Sequence, residues 1–209
     1  KTNKSFVTGK IAVSKDFKTI NKKDKWITNY YSRKIVHLLR NKYDCIMSTS
    51  KSINYDNALL NCRIDGLDNN RPDLFIVDLK LKLKKKIELN NLLHKRKTYL
   101  ITLKKNYKKT LDYKARGFKI ILINSLKTKK DLNLLYKRMY KIGYSRIFVE
   151  TGLTFLNHLI KNNILNDLYI FKTNQNLNKY GTNNDTSAHI KKSYSKFTTI
   201  NLNGDKLFK

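Results

Sequence analysis

Proline occurs once in this 209-residue sequence, cysteine twice and glycine seven times, and each scarcity excludes a class of protein. With so little proline and glycine, the chain reads neither as a collagenous repeat nor as a flexible low-complexity linker. Cys45 and Cys62 form no Cys-x-x-Cys motif and have no histidine pair nearby, so neither a disulfide framework nor a zinc site is expected, and both thiols should be reduced. Apolar runs stay far below the ~18 residues needed to span a bilayer. Nothing at the start has the pattern of a secretory signal. The expected setting is a soluble, cytoplasmic protein with no membrane partner. The sequence begins at Lys1 rather than Met, which raises the expectation of a segment upstream. At 24.7 kDa, one medium domain can bury a core without staples.

Acidic residues are also scarce: 15 against 45 Lys and Arg, a net charge of +30. Clustered cations release counterions from a phosphate backbone, so a Lys-rich nucleic-acid-binding module is one function class to weigh. The distribution argues against it. Few of the cations are arginine, the residue suited to bidentate contacts, and lysine is spread along the whole length. Abundant Lys, Asn, Ile and Tyr is what an AT-rich genome writes into any fold, so the charge reads as a solvated surface. The lysines of 80–86, interleaved with Leu81, Leu83 and Ile87, fit an exposed edge or turn.

Apolar periodicity gives strands at 6–13, 45–47, 74–78, 98–102, 120–123, 146–149 and 168–171. Between them lie helices, most clearly 30–41, with Thr28 or Asn29 as cap and Ile35, Val36, Leu38 and Leu39 buried, and 130–141 with Leu132, Leu135 and Met139 inward. The stretches 14–25 and 48–63 read as polar loops, and a loop as long as the second is more often functional than idle. Residues 173–193 read as a surface loop. A closing hairpin follows over 197–209, turning at Asn203-Gly204. Strands alternating with helices predict an α/β fold: a mainly parallel sheet covered on both faces, with a C-terminal antiparallel hairpin.

The turn Glu150-Thr151-Gly152-Leu153-Thr154 carries the strongest chemical signal. A glycine there lets backbone approach a bulky ligand, Thr154 can cap the next helix, and free N–H groups at a helix start suit a phosphate. Glu150 stands beside it at the carboxyl end of a strand, where ligands bind in open α/β sheets. The same pattern also serves as an ordinary strand-to-helix connection, and the turn alone does not choose.

Phe6-Val7-Thr8 with Lys10-Ile11-Ala12-Val13-Ser14-Lys15-Asp16-Phe17-Lys18, then Trp26-Ile27-Thr28-Asn29, Ser32-Arg33 and Leu39-Arg40, resemble the reductase domain of the bifunctional riboflavin-biosynthesis deaminase-reductase family. That family continues with a Thr-Val-x-x-Asp-Asp-Pro-x-Leu-Thr-x-Arg loop, matched in spacing by Ser52-Ile53-Asn54-Tyr55-Asp56-Asn57-Ala58-Leu59-Leu60-Asn61-Cys62-Arg63. Its Val-Asp strand end falls on Val77-Asp78, and its Val-Glu-x-Gly-x-Thr turn on 149–154. The resemblance runs from Phe6 to Phe171 and implies a dihydrofolate-reductase-like fold over 1–209. It also implies NADPH as hydride donor, a phosphorylated ribosylamino-pyrimidinedione as substrate, and a homodimer. A deaminase domain often precedes such a chain, and without a Cys/His zinc motif this one should not deaminate.

By the resemblance, cofactor contacts fall on Ala12, Trp26, Ser52, Asp56, Leu79, Gly152, Leu153, Thr154, Phe155, Leu156, Asn157 and His158. Substrate contacts fall on Asp24, Arg40, Leu60, Arg63 and Glu150. The two arginines suit a phosphate, and Glu150 suits a sugar hydroxyl or the amine. Hydride transfer needs no protein nucleophile, so the catalytic candidates are proton handlers: Lys18, Asp56 and Glu150, with Lys18 or Glu150 preferred. On residue type alone, Lys18 is equally a surface charge, Trp26 a core residue, Arg40 a helix cap, and His158 a plain helix-face residue. His37, His94 and His189 show no partners by spacing. Phe17, Asn57-Ala58 and Leu79 depart from the family pattern, Leu79 by removing a hydroxyl. A related pteridine or dihydrofolate-type reductase is the remaining alternative on the same fold.

Overall fold

In a strand, neighbouring residues face opposite sides of the sheet, so a run apolar at every position must be covered on both faces. Cys45, Ile46 and Met47, and Ile147, Phe148 and Val149, are such runs, and all six are fully buried. The computed structural model, which describes residues 4–67, 71–194 and 199–209, shows how that is achieved. The chain runs β1 (Phe6–Val13), β2 (Ile20–Asn21), α1 (Tyr30–Asn41), β3 (Cys45–Thr49), α2 (Ser50–Asp56), β4 (Asp73–Val77), β5 (Thr98–Leu103), α3 (Leu111–Ala115), β6 (Lys119–Ile123) and α4 (Lys129–Lys141). It continues with β7 (Arg146–Glu150), α5 (Leu153–Lys161), β8 (Asp167–Lys172), β9 (Gly181–Thr182), α6 (Ala188–Tyr194), β10 (Thr199–Leu202) and β11 (Asp205–Phe208).

Nine strands form one sheet in the order β10-β11-β8-β1-β7-β3-β4-β5-β6. Pairing is parallel from β8 to β6, and β11 and β10 add antiparallel at one edge. This is the expected α/β architecture with its closing hairpin. Asn203 and Gly204, both at positive φ, make the turn, as an Asn-Gly pair does readily; the expected start of the hairpin at 197–198 lies outside the described residues. On one face Leu132, Leu135 and Met139 of α4 and Leu159 of α5 cover Met47, Phe75, Ile101 and Val149. On the other, Val36 and Leu39 of α1 and Ile53 of α2 cover Ile46, Leu74, Ile76 and Phe148. Where α5 and the residues after it cross β1, a Cβ on Gly9 would lie 2.8 Å from Leu165 Cδ1 and 2.9 Å from Leu156 Cδ1, so any larger residue would have to push those leucine side chains aside.

Four expectations change. Leu38 is exposed, because the stripe of α1 runs through Val36, Leu39 and Arg40, and Leu38 turns away from it. The polar stretch 48–63 contains α2, started by the Thr49 hydroxyl, which accepts the Ser52 N–H. The loop 14–25 contributes β2, which pairs with β9. Residues 173–193 fold back onto the domain rather than forming a plain surface loop: Ile190 is fully buried beside Ile11, Val13 and Phe208, and the Asp16 carboxylate accepts the N–H groups of Leu177 and Asn178. One buried apolar residue in a polar stretch is too sparse a pattern to reveal such docking. Residues 80–86 follow an interior strand, so they form a turn and not an edge; the Asp78 carboxylate accepts the Lys82 and Leu83 N–H groups and pulls Leu83 into the core. Among the described residues, no helix is long and apolar enough to cross a membrane.

Candidate active site

Phe148 and Glu150 lie two apart in β7 and therefore share the face covered by α1. The parallel register sets Lys10 of β1 directly beside Glu150. Arg40, one turn beyond Val36 on the buried side of α1, reaches the same point. Its Nε donates to Glu150 Oε2 at 2.9 Å and its Nη2 to Oε1 at 2.8 Å, a bidentate pair, while Lys10 Nζ lies 3.4 Å from Oε1. The Arg40 and Glu150 side chains are only 10% and 15% exposed. Burial raises the Glu150 pKa, but Arg40 and then Lys10 outweigh it and bring it down to about 2. Glu150 is thus a fixed carboxylate at neutral pH.

The third guanidinium nitrogen, Nη1, donates to the Asn61 carbonyl at 2.9 Å, tying the loop after α2 to the site. Leu60 is buried there at φ 49°. Arg63 follows, its N–H donating to His37 Nδ1 at 3.1 Å and its Nη1 to Asn61 Oδ1 at 3.0 Å. His37 Nδ1 lies equally close, 3.1 Å, to the Asn61 carbonyl, so which of the two contacts it makes depends on which ring nitrogen carries the proton. Burial first, then the charges of Arg40 and Arg63, push its pKa down to about 4. Arg63 is reached by water yet crowded by protein, and that partial desolvation and then Arg40 lower its pKa. Asp56, at the end of α2, is reached by water yet walled by protein; that desolvation and then the Glu150 charge raise its pKa, against Lys10 and Lys25.

The turn after β7 is built differently from expectation. Gly152 is itself the N-cap of α5, no side chain caps the helix, and Thr154 is already inside it, its hydroxyl donating to the Asn184 carbonyl at 3.4 Å. Gly152 has ordinary extended dihedrals, and its N–H donates to Ser52 Oγ at 3.0 Å, so that one amide is engaged. Ser52 Oγ is also the nearest atom to an added Cβ, at 3.5 Å, so the space over the turn is open. Of the residues expected along this segment, Leu153, Leu156 and Asn157 are buried, and Asn157 Nδ2 donates to the Thr186 carbonyl. His158 Nε2 lies 2.8 Å from the Leu126 carbonyl, and Phe155 packs against the core below α4. Those side chains hold the helix in place, and with no side chain capping it the N–H groups of its first turn, at 153–155, face the open space.

Trp26 is 46% exposed, with the Arg33 guanidinium 4.9 Å from its ring centre, so it is no core residue. Ala12 packs beneath α1, and Leu79 packs on the opposite face while its carbonyl accepts from Asn106 Nδ2. Asp24 is exposed and accepts the Trp26 N–H at 3.1 Å. The stem of Lys18 lies against Gly181, where an added Cβ would sit 2.5 Å from Lys18 Cγ. Among the described residues, neither Asp24 nor Lys18 forms a hydrogen bond or ion pair with the Glu150 cluster. Sequence reasoning missed Lys10, His37 and Asn61. A lysine inside an otherwise apolar strand was the signal for Lys10, and the i, i+3 spacing to Arg40 the signal for His37. Among the described residues, no group of three or more His, Cys, Asp or Glu is placed to hold a metal ion.

The sequence profile described as the RibD C-terminal domain matches residues 5–173. Riboflavin biosynthesis protein RibD of Buchnera aphidicola subsp. Baizongia pistaciae is 31% identical over 82% of this chain and 48% of its own length. The chain spans about half the length of the curated relatives it matches. Among solved structures, Acinetobacter baumannii RibD (form 2) superposes with a TM-score of 0.80 at 16% identity, covering 99% of this chain and 57% of that one. The Saccharomyces cerevisiae riboflavin biosynthesis reductase Rib7 gives a TM-score of 0.77 at 20% identity, covering 100% and 90%. Both share the dihydrofolate-reductase-like fold described above. A profile match over most of the sequence, and a relative 31% identical across four-fifths of it, show the lineage: this chain belongs to the RibD C-terminal domain family.

Proposed function

We propose that the protein is a 5-amino-6-(5-phosphoribosylamino)uracil reductase of riboflavin biosynthesis that uses NADPH. One observation carries the reading: the Glu150 carboxyl, largely buried and clamped by Arg40 and Lys10, stands next to the uncapped start of α5. The uncapped helix and the open space over Gly152 fit a dinucleotide's diphosphate, with Ser52, Leu153, Thr154 and Phe155 beside it. Exposed Trp26, with Ala12 and Asp56, is assigned to the rest of that surface, and Leu79, packed on the opposite face of the sheet, is left out of it. Bound NADPH supplies the hydride, which ends on C1 of the ribosyl group.

The chain's own residues do the remainder. Arg63, exposed next to Arg40, binds the substrate phosphate, and Leu60 and Asn61 shape the wall beneath it. Glu150 accepts hydrogen bonds from the sugar or the amine and holds C1 in place. As the ribosylamine opens to its imine, C1 takes the hydride and the nitrogen takes a proton. A carboxylate with a pKa of about 2 is a poor proton carrier at neutral pH, and Lys18 is packed against Gly181, so Asp56, whose pKa is raised, is the better proton handler of the three. Asp24, assigned to the substrate side, also accepts the N–H of Trp26 and so helps to hold that neighbouring cofactor residue.

The reading includes a homodimeric, cytoplasmic enzyme, and sedimentation at micromolar concentration checks the dimer. NADPH oxidation at 340 nm, started by the ribosylaminouracil phosphate, tests the activity. A steady, enzyme-dependent loss of absorbance is expected; a folded protein that gives none would overturn it.

A further inference from the structure

We propose that Arg96, a buried residue in the turn before β5 and distant in sequence from every motif above, is a positioning residue for the substrate wall of the site. This rests on the function proposed above and adds to it a residue that touches neither reactant. Arg96 is 7% exposed, and its hydrogen-bond partners are all backbone carbonyls. Nη1 donates to the Leu60 carbonyl at 2.6 Å and to the Pro72 carbonyl at 3.3 Å, and Nη2 donates to the Leu59 carbonyl. One planar fork therefore holds two consecutive carbonyls of the loop after α2 and fastens them to the start of β4.

The held conformation is one the loop would otherwise resist. Leu60 has φ 49°, in the left-handed region that residues with a Cβ seldom enter, and it does so while buried. The next carbonyl, that of Asn61, accepts Arg40 Nη1, and two residues on the Arg63 N–H meets His37 Nδ1. Arg40 in turn grips Glu150. A continuous chain of hydrogen bonds thus runs from Arg96 through the Leu60 backbone to Asn61, Arg40 and Glu150. An apolar side chain of similar volume could fill the space at lower desolvation cost. What it could not do is fix the direction of two adjacent carbonyls, and lysine, with a point-like charge and no fork, could hold only one well.

The test uses the full chain and two variants, Arg96→Lys and Arg96→Met, each checked for folding by near-UV circular dichroism. Steady-state kinetics are measured with the ribosylaminouracil phosphate, and the His37 ring is titrated by NMR. The expected result is a KM for that substrate raised about 10-fold in Arg96→Met with kcat changed less than about 3-fold, and a smaller rise in Arg96→Lys. The His37 midpoint should move upward in both, because a loosened loop exposes the ring and withdraws the Arg63 charge, which together outweigh the lost contact with the Asn61 carbonyl. Arg96→Lys keeps the positive charge, so an upward shift there reports geometry and not charge removal. If the wild type itself turns over no substrate, the proposed function fails, and the His37 titration still decides the role of Arg96. Folded variants with unchanged KM and an unchanged His37 midpoint, whatever their melting temperatures, would overturn the proposal.

Discussion

Replacing Glu150 by Gln removes the charge at the centre of the site while keeping its shape, and the consequence for stability can be worked out. In the native protein the Glu150 pKa falls from 4.5 to about 2. A depression of roughly 2.5 units corresponds to about 3 kcal/mol of stability at neutral pH, at 1.36 kcal/mol per unit. The sign follows from proton counting. Between pH 4.5 and 2 the unfolded chain binds a proton at Glu150 that the native chain does not, so acidification through that window favours unfolding. The stabilisation is complete above about pH 5 and is lost as the pH falls towards 2. Glu150→Gln forfeits it and leaves Arg40 and Lys10 without their shared counter-charge, inside the roughly 3–5 kcal/mol range for breaking a buried pair. Urea unfolding of both proteins at pH 7, 5, 4 and 3 measures the gap. It should be about 3 kcal/mol at pH 7 and shrink steadily below pH 4.5, while the general repulsion of a +30 chain largely cancels between the two. A gap that stays constant from pH 7 to pH 3, or an equally stable variant, would refute the reasoning.

Asp56→Asn should lower kcat by at least 10-fold and flatten the limb of the pH profile on which activity falls as pH rises, because a proton donor must carry its proton; an unaltered profile would move proton handling elsewhere. Gly152→Ala should leave the melting temperature unchanged, since its dihedrals are ordinary and the new Cβ meets Ser52 Oγ only at 3.5 Å, yet weaken NADPH binding in a fluorescence titration by filling the space over the turn. Asp205→Ala should destabilise the fold by about 1–3 kcal/mol in urea, because the buried carboxylate of the hairpin accepts the Asn29 N–H at 2.8 Å and the Ser32 hydroxyl at 2.7 Å at the start of α1. Ile190→Ala should cost about 2–5 kcal/mol if residues 173–193 are docked through that one fully buried side chain, and almost nothing if they are a surface loop.

Strands buried on both faces and amphipathic helices were legible from the sequence because burial of apolar surface imposes their periods. Cys45 to Met47 and the Leu132, Leu135, Met139 stripe are examples. Polar segments were not. The start of α2 depends on one threonine hydroxyl, and the return of residues 173–193 on Ile190 and the Asp16 carboxylate, and such local hydrogen bonds leave no period to read. In the site, Arg40, Arg63 and Glu150 were found through their resemblance to a motif, and Ser52 was found beside Gly152. Lys10 escaped notice because its partner is set by strand register across 140 residues of sequence. Thr154 was misplaced as a cap because the helix begins one residue earlier than the threonine and Gly152 occupies the capping position.

The most direct measurement of the central claim is isotope transfer. The protein is incubated with NADPH deuterated at nicotinamide C4 and with the ribosylaminouracil phosphate, and the product is analysed by mass spectrometry and NMR. One deuterium on C1 of a ribityl group is the predicted result. NADPH consumed without label at C1, or no product from a protein shown to be folded, would contradict the account.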